Sequence, residues 1–186
     1  MKMSFLGRWI GAAALVAGAA MANSNNSANP PQTDEQIAKA VRHEVLIYPY
    51  YSIWDEVDFQ VANGQVQLSG AVTQPVKKSD LGRIVQHIPG VTSVANNLDV
   101  LPLSPMDNRL RMQVARAIYS FAPLSRYGAG SLPSIHIIVA NGHVTLAGVV
   151  DTQNDKQLAG MRAARAGLSF GPVVNNLQVA QTGRKG

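Results

Sequence analysis

The sequence predicts an α+β protein built from two tandem α-β-β-α-β two-layer sandwiches, each a three-stranded sheet covered on one face by two helices. The first observation behind this fold class is a repeated phrase, VANGQVQLSGAV at 61–72 and VANGHVTLAGVV at 139–150. The second is that segments with the apolar spacing of amphipathic helices flank each phrase. The third is a further strand-like segment in each copy, Val91 to Val100 and Pro172 to Val179.

Each repeated phrase predicts a β-hairpin whose turn is the Asn-Gly pair at 63–64 or 141–142. A type I′ turn requires positive φ at both central residues, which asparagine and glycine adopt most readily. A shift of one residue would place apolar side chains beside polar ones, so the register is well specified. The predicted pairs are Val61 with Val66, Phe59 with Leu68, Val57 with Gly70, Val139 with Val144, Ile137 with Leu146 and Ile135 with Gly148.

In the first copy, Thr33 and Gln36 form a capping box, which predicts the start of a helix. This helix should end before Pro49, because the residue before a proline avoids helical backbone angles. Pro75 suits the first turn of a second helix. The predicted inward residues are Ile37, Val41 and Val45, flanked by Ala38 and Leu46, on the first helix, and Leu81, Ile84, Val85 and Ile88 on the second, with Lys77, Lys78, Asp80 and Arg83 outside.

The second copy repeats this order. Ser104 is the predicted cap of its first helix, with Pro105 at the first helical position. Thr152 or Asp151 caps its last helix, which runs to about Ala166. The predicted inward residues are Leu110, Val114 and Ile118, then Leu158, Met161 and Ala164.

These elements define two predicted domains, at 33–101 and 104–180, followed by a loose polar tail at 181–186. Each helix and each sheet has one apolar face, which favours two layers. The third strand could lie beside either strand of the hairpin, and the sequence leaves this open.

Glycines and asparagines recur at matching places in the two copies. We expect Gly70 and Gly148 to end the second strand where a helix crosses closely. The paired asparagines at 96–97 and 175–176 are expected to bond to backbone within the last strand.

The amino terminus predicts export. Lys2 and Arg8 precede an apolar run that ends in the small-x-small pattern of a cleavage site, which indicates a signal peptide at 1–22, cut after Ala22. The run is shorter than the ~20 apolar residues of a membrane-spanning helix. An Asn/Ser/Pro-rich flexible leader follows at 23–32.

Composition narrows the function. Without the predicted signal peptide, 14 Lys and Arg face 11 Asp and Glu, an excess too small to argue for nucleic acid. The absence of cysteine excludes disulfides, thiolate metal sites and a lipid-bearing cysteine.

Motifs for chemistry are also missing. The four histidines have no metal-ligand spacing, and an acidic cluster, Asp55, Glu56 and Asp58, is expected to be a solvated strand start. We therefore predict no catalytic residue, no metal, no cofactor and no enzyme activity.

The pattern G-x-V-x-L-x-G-x-V, then an amphipathic helix, then G-V-x-x-V-x-N-x-L-x-V resembles the BON domain of bacterial envelope proteins. The matching residues are Gly64, Val66, Leu68, Gly70, Val72, Gly90, Val91, Val94, Asn97, Leu98 and Val100, and in the second copy Gly142, Val144, Leu146, Gly148, Val150, Val173, Asn176, Leu177 and Val179. The tandem arrangement is similar to osmotically inducible periplasmic proteins and to paired-BON envelope proteins. This resemblance implies a periplasmic location, a role in envelope stress, maintenance or osmotic response, and phospholipid binding near the first helix and adjoining loop of the second domain.

Seven of the nine aromatic residues beyond residue 22 lie in or beside the loops between the first helix and first strand of each copy. They either close the open ends of the sandwiches and join the copies, or they anchor the protein at a membrane interface, where tyrosine and tryptophan are favoured. Arginines nearby suit anionic headgroups. The candidate lipid- or partner-binding residues are Arg109, Arg116, Tyr119, Phe121, Arg126, Tyr127, Tyr48, Tyr50, Tyr51 and Trp54.

Two functions remain in competition at this point. The favoured one is a non-enzymatic periplasmic module that binds anionic phospholipid or a membrane surface. The alternative is a protein-binding module, either a holdase chaperone for unfolded clients or an adaptor for an envelope complex.

Overall fold

The computed structural model describes residues 32–130, 133–167 and 169–180. The predicted signal peptide, almost all of the leader and the tail lie outside these residues. In order, the elements are α1 (Asp34–Ile47), β1 (Glu56–Ala62), β2 (Gln65–Val72), α2 (Pro75–Gln86), β3 (Ser93–Asn96), β4 (Asp99–Val100), α3 (Pro105–Tyr119), a 3-10 turn (Ser125–Gly128), β5 (Ile135–Ala140), β6 (His143–Val150), α4 (Gln153–Ala164), β7 (Val174–Asn175) and β8 (Gln178–Val179). This is the predicted α+β tandem. Within the described part, no helix combines the length and the apolar character needed to cross a bilayer.

Both hairpins have the predicted turn and register. The φ angles are 53° and 74° at Asn63 and Gly64, and 51° and 77° at Asn141 and Gly142, as a type I′ turn requires. All six predicted pairs are present. The hairpins therefore present one apolar face to the helices, where the core of each domain lies.

A carboxylate at the start of the first helix holds each turn. Asp34 accepts hydrogen bonds from the backbone N–H groups of Asn63 and Gly64 at 2.7 and 2.8 Å. Asp107 accepts the equivalent pair in the second copy at 2.9 and 2.8 Å. Sequence analysis did not foresee this contact, which fixes the hairpin tip against the helix in each domain.

The third strand lies beside the second strand of the hairpin, parallel to it, and it is broken in two. β3 pairs with the start of β2, and β4 pairs with its end. β7 and β8 pair with β6 in the same way. The order β1-β2-β3 leaves β1 at one edge of its sheet.

An asparagine side chain spans each break. The sequence predicted bonds from both asparagines of each pair to backbone of the last strand, and the first of each pair makes one such bond and a second bond to a helix. Asn96 donates from Nδ2 to the carbonyl oxygen of Lys78 at 2.7 Å and accepts the N–H of Leu98 at 3.3 Å. Asn175 makes the same two bonds in the second copy. The following residues, Asn97 and Asn176, are exposed.

Glycines in the second helices make room for these asparagines. A Cβ at Gly82 would lie 2.6 Å from Nδ2 of Asn96, and one at Gly160 would lie 2.7 Å from Nδ2 of Asn175. In each domain, therefore, the asparagine at the strand break packs directly on a glycine of the second helix.

The prediction for Gly70 and Gly148 was wrong about the neighbour. Both have positive φ, and an added Cβ would lie 2.3 Å from the carbonyl oxygen of Glu56 or 2.1 Å from that of Ser134. The close approach comes from the chain entering the partner strand, and not from a crossing helix.

The helices bury most of the predicted stripes, with three corrections. Leu46, predicted beside the stripe of α1, is 43% exposed. Lys77, predicted outside, is buried on α2. On α4, Met161 is 50% exposed and Ala164 is exposed, while Ala159 and Ala163 face the core. The Thr152 cap and an inward Asp155 set the phase of α4, so the buried positions recur every four residues from Asp155. Leu158 packs against the core from a partly buried position.

Replacing Gly82 with alanine should lower the free energy of unfolding by about 1–3 kcal/mol, because the new Cβ overlaps the Asn96 amide. Helix propensity alone predicts the opposite sign, a gain of about 1 kcal/mol. Urea unfolding of the chain without the predicted signal peptide measures the change. Ser79→Ala, an exposed change on the same helix, is the control and should have little effect. An increase in stability for Gly82→Ala would show that the asparagine contact does not constrain this position.

Candidate functional site

The loop after α1 joins the two domains. The carbonyl oxygen of Ile53 accepts the N–H of Ile137 at 2.7 Å, and the carbonyl oxygen of Asp55 lies 2.6 Å from Nδ1 of His136. The ring of Tyr51 lies 5.3 Å from the ring of His136. Trp54 packs against the core of the second domain. Tyr51 and Trp54 are thus part of the contact between the copies.

The two other tyrosines of this loop differ in exposure. Tyr48 is buried and donates its hydroxyl to Asp80 at 2.9 Å. Burial, and then the bond to Asp80, raises the pKa of Tyr48 to about 12. Tyr50 is 67% exposed and meets the ring of Tyr48 edge to face at 5.7 Å. Of this pair, only Tyr50 exposes most of its surface to solvent.

Asp55 is fully buried and forms an ion pair with Lys77 at 2.6 Å. It also accepts the N–H and hydroxyl groups of Ser52 and Thr73. Burial alone would raise the pKa of Asp55, but the bonds from Lys77, Ser52 and Thr73 outweigh burial, and the pKa lies below its ordinary value. The expectation of a solvated acidic cluster was therefore wrong for Asp55, because the loop folds over the start of α2.

The second domain has the same ion pair with the charges exchanged. Counted from the matching glycines of the hairpins, Asp155 occupies the position of Lys77. It accepts bonds from Arg126 at 2.7 Å, Tyr127 at 2.9 Å and Thr152 at 2.6 Å. The bond from Thr152, followed by those from Tyr127 and Arg126, lowers the pKa of Asp155.

These bonds engage two residues that the sequence predicted as lipid contacts, Arg126 and Tyr127. Arg126 also pairs with Asp151 at 3.1 Å and lies over the Tyr127 ring at 4.6 Å. Tyr127 is buried. Both side chains are therefore held by partners within the domain.

Tyr119 and Phe121 are half-buried as well. Tyr119 donates its hydroxyl to the carbonyl oxygen of Ile135 at 2.5 Å, and burial raises its pKa. Arg162 lies over the Phe121 ring at 4.7 Å and donates to the carbonyl oxygen of Ala117 at 3.0 Å. These aromatics pack against the core of the second domain.

Three arginines on the helices of the second domain have no ion-pair partner among the described residues. Arg109 and Arg116 are exposed on α3, two turns and about 10 Å apart along the helix axis. Arg165 is exposed at the end of α4. Within the described ranges, none of the three forms a salt bridge.

Two of these arginines line a groove of about 810 Å³ between the start of α3 and the end of α4, which we call the basic groove. Its lining includes Ser104, Met106, Arg109, Gln113, Arg165 and Gly167.

Exposed apolar side chains lie beside the basic groove. Leu103 is 92% exposed, and Met106 is more than half exposed. Phe170 is 71% exposed and packs against Gly142, the residue whose N–H binds Asp107 on α3. Phe170 and the start of α3 therefore meet at the same hairpin turn. Cations with exposed apolar neighbours are typical of surfaces that bind an anionic interface.

The two copies carry opposite charge, a signal that sequence analysis missed. Residues 104–180 contain seven Lys and Arg against three Asp and Glu, whereas residues 32–103 contain five against eight. The whole-chain excess conceals this difference. Counting charge for each copy would have pointed to the second domain.

A second groove, of about 730 Å³, lies between the hairpins of the two domains. It is lined in part by Glu56, Asp58 and His136. Burial, and then the charge of Asp58, raises the pKa of Glu56 to about 7, while burial lowers the pKa of His136. Among the residues that the structure describes, no group of side chains could hold a metal ion.

Comparison with protein-family models agrees with the tandem architecture. The family model "BON domain" matches the chain twice, at residues 33–102 and 113–181. The chain is also similar to two solved structures of CdsD, a structural protein of the type III secretion system of Chlamydia trachomatis, at 15% identity each. The first has a TM-score of 0.28 and covers 78% of this chain and 93% of that chain. The second, a C-terminal domain, has a TM-score of 0.31 and covers 80% and 66%. Similarity at this level carries no argument about function. No curated protein sequence matches.

The shifted pKa of Glu56 predicts a pH effect on stability. The folded-state pKa of about 7 exceeds the ordinary value of 4.5, so the folded protein holds the proton more tightly between these values. The contribution of protonated Glu56 to the free energy of unfolding is thus fully present below about pH 4.5. It is lost as the pH rises to about 7. Relative to the original chain, the free energy of unfolding of Glu56→Gln should therefore increase by about 1–2 kcal/mol across this pH window, after allowance for solvent screening.

Urea unfolding at a series of pH values measures this difference. Glu35→Gln, which removes an exposed carboxylate of α1, is the matched control and should show no comparable growth with pH. If the difference in free energy of unfolding between Glu56→Gln and the original chain were constant from pH 4.5 to 7.5, the burial of Glu56 between the domains would be contradicted.

Proposed function

The chain belongs to the BON-domain family, and from this membership we propose that it is a non-enzymatic envelope module that binds anionic phospholipid through the basic groove of its second domain. The predicted signal peptide supports a periplasmic location. A role in envelope stress, maintenance or osmotic response is part of the same proposal.

The observation that carries this proposal is a set of free cations beside exposed apolar side chains. Arg109 and Arg165 line the basic groove, and Arg116 continues the same exposed face of α3. A cation near an anionic membrane surface contributes about 1 kcal/mol of binding free energy. Three such cations therefore give useful affinity without a deep pocket.

Apolar side chains supply the second part of the binding energy. Leu103, Met106 and Phe170 are exposed at the end of the domain where the basic groove opens. Burying a large apolar side chain contributes roughly 1.5–3 kcal/mol relative to leaving it in water. The proposed contact places these side chains at the acyl boundary and the arginines among the headgroups.

The proposal keeps only some of the residues named from the sequence. Arg109 and Arg116 remain candidate lipid contacts, and Arg165 joins them. Tyr50 is exposed, but it lies on the acidic first domain. The side chains used within the fold are Tyr48, Tyr51, Trp54, Tyr119, Phe121, Arg126 and Tyr127, and they are no longer proposed as lipid contacts.

Replacing Arg109 and Arg165 with glutamine should weaken binding to anionic vesicles at least tenfold, because two surface cations of about 1 kcal/mol each are lost. Co-sedimentation with vesicles of phosphatidylcholine and phosphatidylglycerol at low salt measures the affinity. Vesicles of phosphatidylcholine alone should bind far less.

The control removes the same charge from the first domain. Lys39→Gln combined with Lys78→Gln should leave binding within about twofold of the original chain, since the basic groove is intact. If both double variants weakened vesicle binding equally, net charge and not the basic groove would account for the binding. No binding of the original chain to the anionic vesicles would overturn the proposed function.

A further inference from the structure

The first domain has an apolar groove of about 680 Å³ between α1 and α2, which we call the α1–α2 groove. Ala40, Ile84 and Ile88 line it, together with the buried ring of Tyr48. Glu44 and Asp80 add two carboxylates to the lining. Arg83 and His87 also line the groove, and Arg83 pairs with Asp80. Glu44 is therefore the carboxylate of this lining that has no ion-pair partner among the described residues.

The second domain shows what fills this place between the helices. The buried stripes of α1 and α3 align Glu44 with Ala117 and Tyr48 with Phe121. The hairpin glycines align Ile84 with Arg162. Arg162 lies over the Phe121 ring and donates to the carbonyl oxygen of Ala117. A guanidinium thus occupies the position that the shorter Ile84 leaves open in the first domain.

The charges of the α1–α2 groove suit a cation. Glu44 is partly buried, and within the described part of the chain it forms neither a salt bridge nor a side-chain hydrogen bond. Asp80 accepts the hydroxyl of Tyr48 and pairs with the exposed Arg83. The domain around them carries eight acidic and five basic residues.

Exposed apolar side chains extend the groove at one end. Tyr50 packs edge to face on the Tyr48 ring, and Ile47, the last residue of α1, is more than half exposed. Exposed aromatic and aliphatic residues that cluster in this way are typical of protein-binding surfaces.

We propose that the α1–α2 groove binds a partner protein by taking up an arginine side chain flanked by apolar residues. The guanidinium lies over Tyr48, as Arg162 lies over Phe121, and it pairs with Glu44. The apolar flanks pack on Ile84, Ile88 and Tyr50. An anionic membrane is the wrong partner for this surface, because the surrounding charge is negative. This proposal is independent of lipid binding by the second domain.

The test uses the mature chain and two synthetic probes, acetyl-Leu-Arg-Leu-amide and acetyl-Leu-Gln-Leu-amide. Methyl NMR signals of Ile84, Ile88 and Ala40 report occupation of the groove. The arginine probe should shift these signals in a saturable way, and the glutamine probe should bind at least fivefold more weakly. Equal binding of the two probes, or no localised shifts, would overturn the proposal.

Three variants localise the contact. Glu44→Gln should weaken the arginine probe about fivefold, while Glu35→Gln, which removes the same charge elsewhere on α1, should not. Ile84→Arg should abolish binding, because it supplies the side chain found in the second domain. Its fold is checked by circular dichroism and by cooperative urea unfolding. Unaltered probe affinity for Glu44→Gln would refute the assigned ion pair even if Ile84→Arg failed to fold.

The same spectra distinguish a second copy of the chain from another protein. If the Ile84 and Ile88 signals shift with protein concentration in the absence of a probe, the occupant is an arginine of another copy, and the assignment to a different partner is wrong. Concentration-independent signals support that assignment.

Discussion

An ion pair between the loop after the first helix and the start of the second helix is the constraint on which each domain depends. Asp55 and Lys77 form it in the first domain, and Arg126 and Asp155 form it in the second. The pair of the first domain is buried, and removing one partner of a buried pair costs about 3–5 kcal/mol, because an uncompensated charge remains. Loop and helix must therefore carry opposite charges, although either can carry the positive one. The pair also holds the loop whose backbone bonds to the second domain at Ile137.

The two domains differ in whether the loop or the helix supplies the cation of the ion pair. This difference affects which cations remain on the surface. In the first domain the helix supplies the cation, Lys77, to the buried pair, and the domain remains acidic. In the second domain the loop supplies Arg126, and the exposed arginines of α3 and α4 have no internal partner among the described residues. Two copies of one fold thus present opposite surfaces. The basic one suits an anionic interface, and the acidic one suits a cationic protein segment.

Local signals in the sequence were enough to predict the hairpins, the caps at Thr33 and Ser104 and the tandem architecture, because turn chemistry and apolar periodicity act over a few residues. The burial of Lys77 could not be predicted in this way, since its partner is far along the chain and periodicity assigns lysine to the outside. The aromatic loops were ambiguous for a related reason. Whether Tyr51 and Trp54 are exposed depends on how the two domains pack, which no local pattern specifies. Arg109 was identified, but Arg165 required the fold that brings the end of α4 to the start of α3.

The central claim is that the second domain meets an anionic surface with the end at which α3 begins. Because the chain has no cysteine, a single cysteine can be introduced at Met106 and labelled with a polarity-sensitive fluorophore. The matched position in the acidic domain is Val76, which is similarly exposed at the start of α2. The account predicts a blue-shifted emission from position 106, and none from position 76, when vesicles containing phosphatidylglycerol are added. An equal shift at both positions, or a shift at 76 alone, would contradict it.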